Sequence, residues 1–102
     1  MPFSYGAGGI TIGSDARIAT HVVIVSSEHI FTDVKRLIRE QGRSPKGVTI
    51  GKDVWGGAHA SILDGSYIGD SCVVGAGTIV KGILDSYGVV VGNPSRKIRE
   101  RA

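Results

Sequence analysis

The 102-residue chain has one cysteine, Cys72, three prolines and six aromatic residues. A single thiol excludes an internal disulfide and fits a reducing compartment. No stretch approaches the ~18 consecutive apolar residues of a membrane-crossing helix, so no membrane partner is expected. The opening MPFSYGAGG lacks the basic and apolar segments of a secretory leader, which makes a cytoplasmic location the expectation. With aromatics at only 6%, a core has to be built from Ile, Val and Leu. The length suits one domain, 1–102. A domain this small buries only about 60–65% of the surface its unfolded chain exposes, so it needs an economical core or a partner chain.

Glycine is what the chain has in plenty, at 16 residues, beside 41% hydrophobic residues. There is no Gly-X-Y period, and the composition is neither collagen-like nor disordered. So much glycine points to many tight turns. The net charge of +3 gathers in Lys35–Lys46 and Arg96–Arg101 and favours an anionic partner only mildly. Basic and aromatic residues do not interleave, and no recognition helix is visible, so nucleic acid is not an expected partner.

Stepping by six along the chain exposes a repeat. Ile12, Ile18 and Ile24 form one series; Ile50, Gly56, Ile62, Ile68, Val74 and Val80 form another. Eight of these nine positions are Ile or Val, where the chain's 27 Ile, Val and Leu would supply about two or three by chance. Gly13, Ala19, Gly51, Gly57, Gly69 and Gly75 follow the anchors by one, where a small residue would allow a turn. Small or β-branched residues follow by four: Ala16, Val22, Val54, Ala60, Ser66, Cys72 and Thr78. A period of six is neither helical nor a simple alternation; it suits a short strand plus a turn, three of which close an 18-residue triangular coil. The expected fold is all-β, a parallel β-helix of about three to four coils. Coils cover 10–29 and 48–92, a protruding loop covers 30–47, and a basic tail covers 93–102. The step from Ile24 to Ile50 is not a multiple of six, so the loop has to leave the coil. Loops this long inside a compact domain are usually functional or disordered. Pro94 heads the tail, which is expected to form a short C-terminal helix.

These repeats, with VTIGKDVWGGAHASIL, SYIGDSCVVGAGTIVKG and the ending VVVGNPSRKIRER, resemble the hexapeptide-repeat acyltransferases of the maltose, galactoside and colanic-acid O-acetyltransferase branch. The likeness runs from about Ile10 to Arg99. It implies a left-handed helix, an exception to the usual right-handed crossover. It implies a homotrimer, acetyl-CoA as acyl donor in a groove between coils, and an active site at the subunit interface. VSSEHIFTD matches the segment where the family carries its catalytic His, which makes His29 the general base. Imidazole accepts a proton near neutral pH, and a positioned base is typically worth 10²–10⁴-fold in rate. The reaction implied is direct transfer from acetyl-CoA to a sugar or similar hydroxyl acceptor. A backbone N–H near Ala58 would stabilise the oxyanion.

By the same resemblance, Ala58, Gly75 and Ala76 contact the pantetheine arm, and Lys81, Arg96 and Arg99 meet the phosphate and adenine end, where cations suit the charge. Trp55 and His59 line the substrate site or the trimer interface. Glu28 and Glu40 are candidates to orient His29. His21 and Cys72 carry plainer expectations, a solvent-facing corner and an inert core thiol. His21, His29 and His59 lack the close HxxxxH spacing of zinc-binding relatives of this fold, so no metal is expected. The chain departs from the family pattern at Ala7, where an Asp is usual, and at Gly56, where an Ile anchor is usual. Relatives also carry further coils or a helical segment before Ile10. The alternative reading is therefore a truncated, weakly active or inactive β-helix trimer serving as a CoA-binding or assembly module.

Overall fold

A computed structural model describes residues 3–5, 9–43 and 46–101. The chain winds round three walls. Wall one holds β1 (Phe3–Tyr5), β4 (Val23–Val25), β7 (Ser61–Ile62) and β10 (Ile79–Val80). Wall two holds β2 (Ile10–Ile12), β5 (Val48–Ile50), β8 (Tyr67–Ile68) and β11 (Ile83–Leu84). Wall three holds β3 (Arg17–Ile18), β6 (Trp55–Gly56), β9 (Val73–Val74), β12 (Gly88–Val91) and β13 (Arg96–Glu100). Every pairing along the walls is parallel except β12 with β13.

Register turns the six-residue rhythm into three columns. Ile12, Ile50, Ile68 and Leu84 stack in wall two. Ile18, Gly56, Val74 and Val90 stack in wall three. Ile24, Ile62 and Val80 stack in wall one. Ile24, Ile50, Ile62, Ile68, Val74 and Val80 are all at most 1% exposed. Full burial of such a side chain stabilises by about 1.5–3 kcal/mol. The small positions Val22, Val54, Ala60, Ser66, Cys72 and Thr78 close the corners and are buried as well.

The coil repeat varies in length at two places. Ile12 aligns with Ile50, and Ile50 with Ile68. The first of these steps is more than twice the second, because the loop is inserted into that one coil. Near the end the repeat shortens, with Ile68 aligned to Leu84 and Val74 to Val90. The anchors past Val80 therefore continue out of phase with the earlier series, with Gly82 (φ +103) in the shortened corner.

Two expectations are corrected. The tail is not helical: Arg96–Glu100 is a strand, antiparallel to β12, with Arg96 opposite Val91 and Glu100 opposite Gly88. A free helix of this length is marginal in water, and the open edge of β12 offers the backbone its partners instead. The glycines one after each anchor do not serve left-handed turns. A Cβ on Gly13 would come within 2.7 Å of the Gly51 carbonyl carbon, and one on Gly57 within 2.7 Å of the Ala76 nitrogen. Those glycines let successive coils touch. The left-handed residues come two positions later in each turn: Asp15, Asp53, Ser71 and Tyr87 at one corner, with φ between 54° and 67°, and His21 and His59 at another. Asp, Asn and His tolerate this region better than most residues. Among the described residues no helix is long and apolar enough to cross a membrane. Ala7 lies outside the described residues.

Candidate active site

The loop leaves the prism at the corner between walls one and two. Ser26 and Ser27 are buried there, and His29 is exposed just beyond them. The loop closes on itself: His29 bridges to Arg43, the Ile30 N–H donates to the Gly42 carbonyl at 3.0 Å, and Arg43 Nη1 donates to Ser27 Oγ at 3.3 Å. Within it, the Gln41 amide spans the turn. Its Nε2 donates to the carbonyls of Asp33 and Arg36 at 2.9 and 3.0 Å, and its Oε1 accepts from the Asp33 N–H at 3.2 Å. Phe31, Val34, Leu37 and Ile38 all stay exposed on this loop. Glu28 does not hold His29. Both its oxygens face Lys81 Nζ, at 2.9 and 3.0 Å. Glu40 sits in a short 3₁₀ turn, Ile38–Glu40, and among the described residues no carboxylate is hydrogen-bonded to His29.

A groove of about 420 Å³ runs along wall three toward the corner with wall one, lined by Ala19, Trp55, Ala58, Val73, Gly75 and Ala76 among others. Its surface is mostly apolar. Four of the residues singled out in the sequence, Trp55, Ala58, Gly75 and Ala76, therefore meet in one place. Arg96 stands opposite Val91, whose Cγ1 covers Gly75 at the groove's upper end, and Arg99 stands opposite Val89. Lys81 lies at the loop corner with Glu28 instead. His59 follows Ala58 at the groove's edge and stacks on His21. A second recess shares Trp55 and Val73 with the groove and adds Arg17, Asp53 and Arg101, with Arg101 paired to Asp53 at 3.0 Å. Sequence reasoning passed over these two arginines; the register of Arg17 with Trp55 is what brings the first to the groove.

The corners differ in one chemical respect. Coil turns leave backbone N–H groups that the ladder does not use. At the corner between walls one and two, Asp64 accepts the N–H of Lys46, one coil earlier, at 3.0 Å, and that of Gly47 at 2.8 Å. At the next corner, Asp70 accepts the N–H of Lys52, again one coil earlier, at 2.8 Å. At the third corner the equivalent residue is Ala76. It has no acceptor to offer, and among the described residues the Ala58 N–H donates to no protein group. This open donor lies at the groove's own corner. His29 sits at a different corner, so one copy of the chain does not bring His29 and the groove together. Among the described residues, no group of three or more His, Cys, Asp and Glu side chains is placed to hold a metal.

A parallel three-walled prism with a histidine-bearing loop and a groove between coils defines the class of hexapeptide-repeat β-helices. Comparison with known proteins gives the family. No protein-family model matches the chain. A probable acetyltransferase of Mycobacterium tuberculosis is 34% identical over 92 residues, 90% of this chain and 31% of that protein. The galactoside O-acetyltransferase of Escherichia coli is 38% identical over 91 residues, 89% of this chain and 44% of that protein. A solved galactoside acetyltransferase in complex with coenzyme A superposes with a TM-score of 0.82 at 36% identity, covering 91% of this chain and 46% of that one. The chain thus spans less than half the length of these relatives. It is a homologue of the hexapeptide-repeat acetyltransferases, and its helix is left-handed as theirs is.

Proposed function

We propose that this chain forms the acyl-CoA-binding and catalytic β-helix of a cytoplasmic O-acetyltransferase that modifies a sugar or similar hydroxyl compound. The open N–H of Ala58, on a groove walled by Trp55, Gly75 and Ala76, carries this reading. Two of the three corners spend a carboxylate on that donor position, and the groove's corner keeps it available. An extended pantetheine arm has two amides and a thioester carbonyl, all of which suit exposed strand backbone. Arg96 and Arg99, on the strand paired with the one whose Val91 covers the upper end, suit the phosphates. Lys81 stands at the loop corner, so it would join them from a neighbouring copy, as His29 does, on releasing Glu28.

His29 accepts the proton of the acceptor hydroxyl. The freed oxygen attacks the acetyl carbonyl, and the Ala58 N–H donates a hydrogen bond to the oxyanion that develops there. As the C–S bond breaks, the proton held by His29 passes to the departing sulfur, which releases coenzyme A as thiol. A preorganised backbone donor of this kind is worth about 10²–10³ in rate. His29 and the groove occupy different corners, so the reaction needs His29 of one copy beside the groove of another. A closed ring of three copies of a three-walled prism satisfies this. It would also cover the half-buried apolar residues Val23, Val25, Leu63 and Ile79 on the outside of wall one.

The test is thiol release from acetyl-CoA over a panel of sugars, beside light scattering for mass. Acceptor-dependent release by a trimer is the expected result. Coenzyme A binding with no release for any hydroxyl compound, or a stable monomer, would contradict the proposal.

A further inference from the structure

His21 and His59 ride the same corner on successive coils, far apart in sequence because the loop lies between them. Both backbones are left-handed, at φ 60° and 61°, and the His59 N–H donates to the Thr20 carbonyl at 3.2 Å. Coil stacking therefore fixes where both side chains begin. The imidazoles lie 5.0 Å apart between centroids with planes 14° apart. Both residues are exposed, neither belongs to the core, and among the described residues neither ring is hydrogen-bonded to protein. The acyl-transfer scheme gives this pair no role.

Two exposed imidazoles thus lie one above the other on a rigid corner, with no protein partner for their nitrogens among the described residues. We infer that they chelate a divalent transition-metal ion of the imidazole-preferring kind, such as zinc, nickel or copper, with water completing the shell. Zinc–imidazole bonds are about 2.0–2.1 Å, so an ion shared by both rings needs nitrogens within about 4 Å of each other. The rings stack nearly parallel with centroids 5.0 Å apart, so both must rotate out of the stack to aim their in-plane lone pairs at one ion, and their exposure leaves room for that rotation. The acidic residues of the neighbouring corner, Asp15 and Asp53, stand at the other side of wall three, so the donors are nitrogen only. The column has one more rung. Gly77 continues it with φ +72, and a Cβ built there meets nothing within 4 Å. The site is an exchangeable two-imidazole chelate with an unused third position. It is independent of whether the chain transfers acyl groups.

Zinc alone, titrated into the metal-free full chain by calorimetry, tests this. Asn tolerates the left-handed region and removes the imidazole, so His21→Asn and His59→Asn keep the fold. One ion per chain is expected for the unaltered protein, with each Asn variant, which removes a ligand, weakening it by at least the roughly tenfold that loss of an outer-shell partner costs a metal site. Gly77→His adds a third imidazole and is expected to tighten binding by about tenfold. His29 is present in all four proteins, so any binding it supports is common background. Zinc affinity in either Asn variant equal to that of the unaltered chain, or no gain in Gly77→His, overturns the inference.

Discussion

The carboxylate of Asp70 accepts the backbone N–H of Lys52, one coil earlier, at 2.8 Å. The same relation joins Asp64 to Lys46 one corner before. One corner after, Ala76 stands where the aspartates stand, and Ala58 keeps its donor. One side-chain difference at matching positions of three turns thus separates two donors capped by a carboxylate from one left open.

His29 is placed by a loop that closes on itself through the Gly42 carbonyl and Arg43. Replacing it removes a base without touching the groove. His29→Ala is expected to lower the rate of acetyl transfer by about 10²–10⁴ while coenzyme A affinity stays the same. Steady-state kinetics beside calorimetry check this. Unchanged turnover would remove His29 from the chemistry.

Lys81 holds Glu28 in an ion pair with both side chains partly exposed. Such a pair contributes about 0–1 kcal/mol, so it competes only weakly with a phosphate for the ammonium. Glu28→Gln is expected to tighten coenzyme A binding by about two- to fivefold, and Lys81→Met to weaken it by a similar factor. A pantetheine thioester without phosphates should bind both variants alike, which calorimetry can show.

Neighbouring glycines should respond with opposite signs. A Cβ on Gly56 meets only Ile18 Cδ1, at 3.6 Å, and fills part of the column where an anchor side chain is missing. Gly56→Ala is expected to stabilise by about 0.4–1 kcal/mol. A Cβ on Gly57 meets the backbone of the next coil at 2.7 Å. Gly57→Ala is expected to destabilise by about 1–3 kcal/mol and to narrow the groove. Thermal unfolding reads both, at about 4–8 °C per kcal/mol for a domain of this size.

Burial pushes the Cys72 thiol above its ordinary pKa of 9.0, against the opposing effect of backbone hydrogen bonds at Gly88 and Tyr87. Its Sγ donates to the Asp85 carbonyl at 2.9 Å. The folded chain therefore keeps a proton that the unfolded chain gives up above pH 9. This contribution to stability is fully present below pH 9 and is lost as pH rises through the folded-state value. Denaturant unfolding between pH 8 and 11 should show the decline, and Cys72→Ala should flatten it.

The coil was legible in the sequence because burial of Ile50, Ile62, Ile68, Val74 and Val80 follows from their apolar identity at a fixed spacing. The slip between Val80 and Ile83 was not, because hydrophobic spacing says nothing of how long a corner is. The tail misled for a related reason. RKIRE suits either a short helix or a strand, and the open edge of β12 decides, a partner that lies outside the segment itself. The family resemblance named Ala58, Gly75 and Ala76 as pantetheine contacts and Trp55 separately, as a substrate-site or interface residue, and the structure lines one groove with all four. The roles of Asp64 and Asp70 were hidden. In the sequence they are acidic residues in turns, and only stacking shows that each caps the coil below. His21 and His59 were hidden in the same way, since the whole loop separates in sequence two rings that stack in space.

The central claim is that the uncapped Ala58 N–H makes this corner the site of acyl transfer. Ala76→Asp tests it most directly, since it copies the capping pattern of Asp64 and Asp70 into the third corner. Thiol release from acetyl-CoA, measured with the best acceptor, is predicted to fall by about 10²–10³ while the chain stays folded. An Ala76→Asp variant that transfers acetyl groups at the unaltered rate would contradict the account.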